Sequence, residues 1–237
     1  MSIKGTAKKA FRKAFPKKQA KDYGWKDELR EWVVSFVFAA VIYFIVLPLI
    51  LGSSSPMVIV SSCSEKGYLD IGDILVVQSI GIEDIKAPLV TTDSISFLPL
   101  IDNVSNEVRS VDINGNVVSA DDSNDIVVYY AFPSNAQIIH RALAKINVSN
   151  KYYLLTKGDA NQLPDQMGVY NNQLVNCITE NPNVCISTPV TQENLVGHTI
   201  LFKVPLLGHL KLFFCDIMPF CDGHSNLGTN YEYRLSC

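Results

Sequence analysis

The sequence predicts a mainly β protein that carries a single transmembrane helix near its N-terminus. Two observations support this fold class. From Trp32 to Ser64 the chain has no charged residue. The segments after it are short, rich in Val, Ile, Tyr and Leu, and separated by clusters of Gly, Asn, Asp and Pro. We therefore expect strands at 56–60, 73–79, 125–132, 136–146, 151–156 and 198–205.

The apolar segment 32–52, "WVVSFVFAAVIYFIVLPLILG", is 21 residues long. About 20 apolar residues in a helix cross a bilayer core of roughly 30 Å, and this segment lacks the polar stripe of a soluble amphipathic helix. A cleavable signal peptide is the alternative, and "LGSSS" after the segment offers it small residues. Because the 31-residue leader and the apolar core are both long for that role, an uncleaved anchor is the better interpretation.

Charge is distributed unevenly on the two sides of this segment. Residues 1–31 hold ten Lys and Arg and four acidic residues, a net charge of +6, whereas residues 32–237 carry −9. The positive-inside rule predicts a basic cytoplasmic tail at 1–31 and a domain at 53–237 outside the cell membrane or in the lumen of the endoplasmic reticulum. The tail is either disordered or a short amphipathic helix on anionic lipid. Since the membrane accounts for the basic run, we expect no nucleic-acid partner.

All six cysteines follow the apolar segment, on the side of the membrane where disulfides persist. Cys177 with Cys185, and Cys215 with Cys221, are hypotheses for short-loop pairs. Six cysteines allow 15 connectivities, so the pairing stays open. No C-x-x-C spacing occurs, which disfavours a zinc site; we expect no metal. The cysteines are Cys63, Cys177, Cys185, Cys215, Cys221 and Cys237.

Two turn signals organise the middle of the chain. "NVSN" at 147–150 predicts a hairpin turn that joins the strand of His140 to the strand containing "YYLL". "NGN" at 114–116 predicts a second turn. We interpret residues 91–124 around it as an inserted β-hairpin or small subdomain.

Three elements could carry chemistry, and each has an ordinary explanation. Ser61, Ser62 and Ser64 follow the apolar segment, where serines are common in linkers. His140 interrupts an apolar strand, where a histidine is often structural. "TKGDANQLPD" at 156–165 has two aspartates in a turn, and it fails as a calcium loop because Leu163 occupies the third ligand position. Together they supply a serine nucleophile, a histidine base and an orienting aspartate.

The three elements together resemble the type I signal peptidases of the archaeal and endoplasmic-reticulum class. That family has one membrane anchor, then a "SGSMEP…GD" box, an "HR" box and a "TKGDxN…D" box. Here "SSCSEKGYLDIGD" is similar to the first box, with Ser64 eight residues before Gly72, and "IIHR" at 138–141 is similar to the second. "TKGDANQLPD" is similar to the third. "LVGHTILFKVPLLGHL" at 195–210 resembles the closing strand segment of the family.

The resemblance covers residues 32–83 and 124–212 and implies roles for individual residues. Ser64 would be the nucleophile and His140 the general base, where the eubacterial branch uses a lysine. Asp159 and Asp165 match the two family aspartates. One should orient or charge-stabilise His140 and the other support the site, with Asp165 the more essential. Ser62 would join the Ser64 backbone N–H as an oxyanion donor.

The chain also departs from the family pattern. Glu65, Lys66 and Gly67 stand where the family has Met-Glu-Pro, and because that Met lines the substrate cleft, the specificity pocket should differ. Cys63 replaces a glycine. Lys66 raises the alternative of a Ser-Lys dyad, which we disfavour because the family lysine lies on the strand of His140. The insert at 91–124 has no counterpart in the family.

The resemblance implies a signal-peptidase-like antiparallel β domain with hydrolase activity. The chain would be a membrane-bound serine endopeptidase that removes signal peptides from secretory preproteins, with no metal or organic cofactor. Its partners would be signal peptides, the lipid bilayer and the secretion translocon. Two alternatives remain: a non-catalytic single-pass protein whose outer domain binds peptides or partners, and the same protease chemistry on a specialised precursor.

Overall fold

The computed structural model describes residues 24–65, 67–102, 107–178 and 182–205, in two compact units that divide after Val46. In the described part of the N-terminal unit, α1 (Trp25–Val41) continues into a π-helical segment (Ile42–Val46). The helical run extends to α2 (Leu47–Leu51). This run of 27 residues, Trp25–Leu51, is long and apolar enough to cross a membrane.

The helix begins seven residues before the apolar segment predicted at 32–52. Gly24 is its N-cap, and Asp27 and Glu28 lie in the first turn, where carboxylates interact favourably with the helix dipole. The charged residues that precede the apolar segment are good helix formers. They extend the helix beyond the part that hydropathy alone would assign.

The described part of the second unit contains twelve strands and is mainly β, as predicted. One short 3₁₀ turn lies at Ile82–Asp84 and another at Pro182–Val184. The strands are β1 (Met57–Ile59), β2 (Ile74–Gln78), β3 (Leu89–Thr91), β4 (Leu98–Ile101), β5 (Val108–Ile113), β6 (Asn116–Ser119), β7 (Ile126–Tyr130), β8 (Gln137–Val148), β9 (Lys151–Lys157), β10 (Met167–Tyr170), β11 (Gln173–Asn176) and β12 (Leu195–Val204).

The main sheet has seven strands in the order β1-β2-β12-β7-β8-β3, and β9 also pairs with β8. All of its pairs are antiparallel except β3 with β8. The predicted "NVSN" hairpin is confirmed. Ser149 and Asn150 have positive φ angles of 50° and 64°, as a tight turn between twisted antiparallel strands requires.

The loop after β1 meets the loop after β9, although these strands are far apart in the strand order. The Ala160 backbone N–H donates a hydrogen bond to the Ser64 carbonyl oxygen at 2.8 Å. Gly158 makes the approach possible, because a Cβ there would lie 2.9 Å from the same carbonyl oxygen. The sheet therefore coils until these two loops touch, and the predicted serine and aspartate boxes become neighbours.

The insert contains a three-stranded sheet, β4-β5-β6, rather than a hairpin alone. Its "NGN" turn is present, with Asn114 at φ 50° and Gly115 at φ 86°. The buried residues of the insert pack with those of β8 and β9 in one core cluster, so it completes the core instead of standing apart. This cluster contains Val90, Phe97, Val108, Val111, Ile113, Val118, Leu143, Ala144, Ile146, Leu155 and Met167.

The disulfide between Cys177 and Cys185, proposed from their spacing, is present, with a Cα–Cα distance of 6.2 Å. It ties the end of β11 to the 3₁₀ turn at Pro182–Val184. Cys63 is also disulfide-bonded. The hypothesis that pairs Cys215 with Cys221 lies outside the described residues, as do most of the basic tail and residues 206–210.

The packing of the insert gives a test of its part in the core. Ile113→Ala should lower the free energy of unfolding by about 2–5 kcal/mol, because the side chain is fully buried. Val117→Ala, in the same hairpin, is the control. Its side chain is 63% exposed, and the change should stay within about 0.5 kcal/mol. Urea unfolding of the two variants measures both values, and equal losses would contradict the shared core.

Candidate active site

His140 and Asp165 form a buried pair. The His140 Nδ1 atom lies 2.8 Å from Oδ1 and 2.7 Å from Oδ2 of the Asp165 carboxylate. β8 supplies the histidine, and the Asp165 backbone N–H donates to the Thr156 carbonyl at the end of β9 at 2.9 Å. The backbone of β9 thus holds the aspartate beside the histidine strand. Asp165, and not Asp159, is the aspartate that contacts His140.

Two further hydroxyl groups donate to the Asp165 carboxylate. The Tyr129 hydroxyl lies 2.7 Å and the Thr156 hydroxyl 2.6 Å from Oδ2. Burial alone would raise the pKa of Asp165, but the charge of His140 and the hydrogen bonds from His140, Thr156 and Tyr129 outweigh it and hold the pKa below its ordinary value. Because an ionised carboxylate only accepts hydrogen bonds, the proton between the two groups lies on His140 Nδ1, and Nε2 is the ring nitrogen that is left to act as a base.

Ser64 and Ser62 stand together in the loop after β1. Their hydroxyl oxygens are 3.1 Å apart, and the Ser64 main chain is fixed by Ala160 as described above. Among the described residues no hydrogen bond joins the Ser64 hydroxyl to His140. In other enzymes that bond often forms only when substrate binds.

Asp159 binds Arg141 and not His140. Its carboxylate forms a bidentate ion pair with Arg141, with Nε–Oδ1 at 2.8 Å and Nη2–Oδ2 at 2.7 Å. The remaining Nη1 donates to the carbonyls of Asp122 and Asn124, both at 2.8 Å. The guanidinium also lies 5.3 Å from the ring of Tyr68. Asp159 therefore anchors its loop to β8, next to the histidine, without touching the histidine.

Glu65 is the residue that the sequence reasoning missed. Its side chain is 1% exposed, and Oε1 accepts a hydrogen bond from the Asp159 backbone N–H at 3.3 Å. Oε2 has no hydrogen-bond partner among the described residues. Burial, and then the charge of Asp159, raise the pKa of Glu65 to about 9. The sequence feature that could have indicated a role for Glu65 is its position directly after Ser64, where the family has Met.

Two lysines bear on a Ser-Lys alternative. Lys66 lies outside the described residues. Lys157, at the end of β9, is buried, and burial lowers its pKa. Its Nζ donates to the Gly158 carbonyl at 3.2 Å. Among the described residues no hydrogen bond connects Ser64 to Lys157 or to His140, but His140 has the Asp165 carboxylate as a partner, whereas Lys157 is bound only to a backbone carbonyl.

The acidic side chains of this region are engaged by protein groups. Asp165 is held by His140 and Asp159 by Arg141. In the part of the chain that the structure describes, no group of three or more His, Cys, Asp or Glu side chains is placed to hold a metal ion.

Comparison with known proteins leaves the chain without a family assignment. A scan of the sequence against protein-family models returns no match. A search of curated proteins returns none either.

The buried Glu65 carboxyl predicts a specific pH dependence of stability. Because its pKa rises from 4.5 to about 9 on folding, the stabilisation from the protonated form is complete below pH 4.5 and is lost as the pH rises toward 9. Glu65→Gln should therefore be increasingly more stable than the wild type across this window. The difference should grow by at most about 1.4 kcal/mol per pH unit and level off above it.

Unfolding by urea at several pH values measures this difference. Glu193→Gln, an exposed replacement of the same kind, is the control and should show no such trend. A difference between Glu65→Gln and wild type that stays constant from pH 5 to 9 would contradict a protonated Glu65.

Proposed function

We propose that this chain is a membrane-anchored serine endopeptidase that removes signal peptides from secretory preproteins. The observation that carries the proposal is the buried His140–Asp165 pair. His140 lies on β8, and Asp165 lies in the loop after β9, whose Ala160 also holds the backbone of Ser64. The resemblance of the three sequence boxes to type I signal peptidases supplies the substrate class.

In the proposed reaction Asp165 keeps the proton of His140 on Nδ1, so that Nε2 can accept the proton of the Ser64 hydroxyl. The Ser64 oxygen then attacks the scissile carbonyl carbon. The Ser64 backbone N–H and the Ser62 hydroxyl donate to the oxyanion that develops. The imidazolium gives its proton to the leaving amine as the C–N bond breaks, which leaves an ester on Ser64.

The second half of the reaction repeats these steps with water. His140 Nε2 accepts a proton from water, and the hydroxide attacks the ester carbonyl. The Ser64 oxygen leaves and recovers the proton from His140. The signal-peptide fragment departs with a new carboxylate, and the enzyme returns to its starting state with no cofactor consumed.

The strand edges before Ser64 and His140 suit an extended substrate. In β1 the hydrogen-bonded pairs with β2 involve residues of even number, as the bonds of Pro56 and Val60 show. The backbone groups of Met57 and Ile59 therefore face away from β2. In the described part of the chain no strand lies beside this edge, and Ser64 follows it after a short loop.

The histidine strand offers a similar edge. β7 pairs with β8 along its first residues, whereas β9 pairs with it only from Arg141 onward. By the same alternation the backbone groups of Gln137 and Ile139 face away from β7 and have no strand beside them in the described part of the chain. A peptide strand added there would gain backbone hydrogen bonds and run into the site. Shallow pockets would then select small residues before the cleaved bond.

The helix Trp25–Leu51 would hold the enzyme in the bilayer as a single-pass protein. The basic tail at 1–31 supports a cytoplasmic N-terminus and a catalytic domain on the opposite side. Cleavage sites emerge on that side as preproteins leave the translocon. A specialised membrane precursor would be processed by the same chemistry.

A peptide-binding domain without catalysis is the rival function. The observation that favours it is the Ser64 hydroxyl, which pairs with Ser62 and not with His140. The strand edges of β1 and β8 could bind a peptide equally well in a domain without catalytic activity. Cleavage of a bound preprotein separates the two functions directly.

The proposed roles predict a graded set of losses in kcat/KM for cleavage of a model preprotein by detergent-solubilised protein. Ser64→Ala and His140→Ala should abolish cleavage. Asp165→Asn should cost up to about 10⁴-fold, because the wrong imidazole tautomer is favoured. Asp159→Asn acts through Arg141 on geometry and should cost at most about 10²-fold. Full activity in Ser64→Ala or His140→Ala would refute the dyad.

Gly158 gives a separate test of how the nucleophile is positioned. An added Cβ would lie 2.9 Å from the Ser64 carbonyl oxygen and 2.8 Å from Asn161 Nδ2, closer than real Cβ contacts. Gly158→Ala should push the serine loop outward and lower kcat by about 10-fold to 100-fold. Gly115→Asn, in the distant "NGN" turn, is the control and should retain activity. Wild-type kcat in Gly158→Ala would show that this contact does not position Ser64.

A further inference from the structure

Glu65 is attached to both loops of the proposed site. Its backbone carbonyl accepts hydrogen bonds from the Tyr68 and Leu69 N–H groups at 3.2 and 2.9 Å. Its side chain accepts from the Asp159 N–H. Glu65 also directly follows Ser64, whose carbonyl is bound by Ala160. The Ser64 carbonyl and the Glu65 carboxyl group thus each accept one hydrogen bond, from Ala160 and Asp159 respectively. These two hydrogen bonds join the nucleophile loop to the Asp159–Ala160 segment.

The ionisable groups that face Glu65 come from several elements. Asp159 lies in the loop after β9 and opposes a negative charge on Glu65, whereas Arg141 on β8 favours one. Burial is the largest cause that raises the pKa of Tyr129 on β7 well above its ordinary value, and the charge of Glu65 is a smaller one. Tyr68, in the same loop as Glu65, covers the guanidinium of Arg141.

Ionisation of Glu65 would change how these groups pair. A carboxylate buried here would lie beside the like charge of Asp159, and its Oε2 has no donor among the described residues. The charge of Arg141 favours the ionised form of Glu65, but Asp159 already binds Nε and Nη2 of this arginine. Competition for Arg141, or entry of water, would separate Glu65 from Asp159. The link that positions Ser64 would weaken as a result.

We propose that Glu65 is a positioning residue that holds the Ser64 loop on the Asp159 loop while its carboxyl group is uncharged, so that cleavage is lost reversibly in alkaline solution. This inference rests on the proposed function. It gives Glu65 no contact with substrate. The same role explains why a carboxyl group can replace the Met of the family that the chain resembles. The uncharged carboxyl group fits a buried position and adds a hydrogen bond.

The test is the pH profile of kcat/KM between pH 6 and 10.5 for a peptide substrate without groups that titrate in that range. In the wild type kcat/KM should fall about tenfold per pH unit above pH 9 and recover on return to pH 8. Glu65→Gln keeps an acceptor for the Asp159 N–H and cannot ionise, so above pH 8 its profile should stay flat within about twofold of its plateau. Glu193→Gln is the control and should behave as the wild type.

Glu65→Met separates the hydrogen bond from the charge. It should lower kcat at every pH and, like Glu65→Gln, show no alkaline loss. Far-UV circular dichroism of each variant establishes that it is folded before its profile is compared. An alkaline loss that persists unchanged in both variants would overturn the inference and would point to another group, such as Lys157, whose pKa burial lowers. A wild-type profile without alkaline loss would overturn it as well.

Failure of this inference is distinguishable from failure of the proposed function. If Ser64-dependent cleavage is absent at every pH, the proposed function fails. The stability difference between wild type and Glu65→Gln then still reports whether Glu65 is protonated in the folded protein. If cleavage depends on Ser64 and His140 but not on the charge of Glu65, only the positioning role is lost.

Discussion

The buried carboxylate of Asp165 sets the arrangement of the strands around it. A fully buried charge is costly unless it is paired and hydrogen-bonded, and Asp165 is 0% exposed. Its partners come from three adjacent strands: Tyr129 on β7, His140 on β8 and Thr156 on β9. The main chain of Asp165 adds a fourth link, because its carbonyl accepts from the Ser187 N–H at 2.9 Å. Satisfying this one group fixes the orientation of the histidine.

The loop between Thr156 and Asp165 makes contacts both in the protein interior and with the loop after β1. Its last residue turns inward to His140, while Asp159 binds Arg141 and Ala160 binds the Ser64 carbonyl. His140 and Arg141 are consecutive residues, and neighbours on a strand point to opposite faces. Two aspartates in one loop thus hold both faces of the same strand. Glu65, directly after Ser64, adds a hydrogen bond to this loop by accepting from the Asp159 N–H.

Much of the fold was predictable because it depends on local signals. The helix, six of the strands, the "NVSN" turn and the Cys177–Cys185 disulfide follow from hydropathy, turn residues and spacing. The helix begins at Trp25, before the apolar segment 32–52, because charged helix formers extend it beyond the part that hydropathy identifies. The packing of the insert on Leu143, Ile146 and Leu155 depends on contacts between distant segments, which no local pattern specifies. For the same reason the ion pair of Arg141 with Asp159, and the burial of Glu65, became evident only in three dimensions.

Trapping the acyl-enzyme would show whether His140 activates Ser64 as a nucleophile. Detergent-solubilised protein would react briefly with an activated ester of a peptide ending in Ala, be quenched in acid, and be digested for mass spectrometry. The account predicts one acyl group on Ser64 in the wild-type protein, none in Ser64→Ala, and a strongly reduced amount in His140→Ala. Turnover of the ester with no acyl group on Ser64, or with the group on another residue, would contradict it.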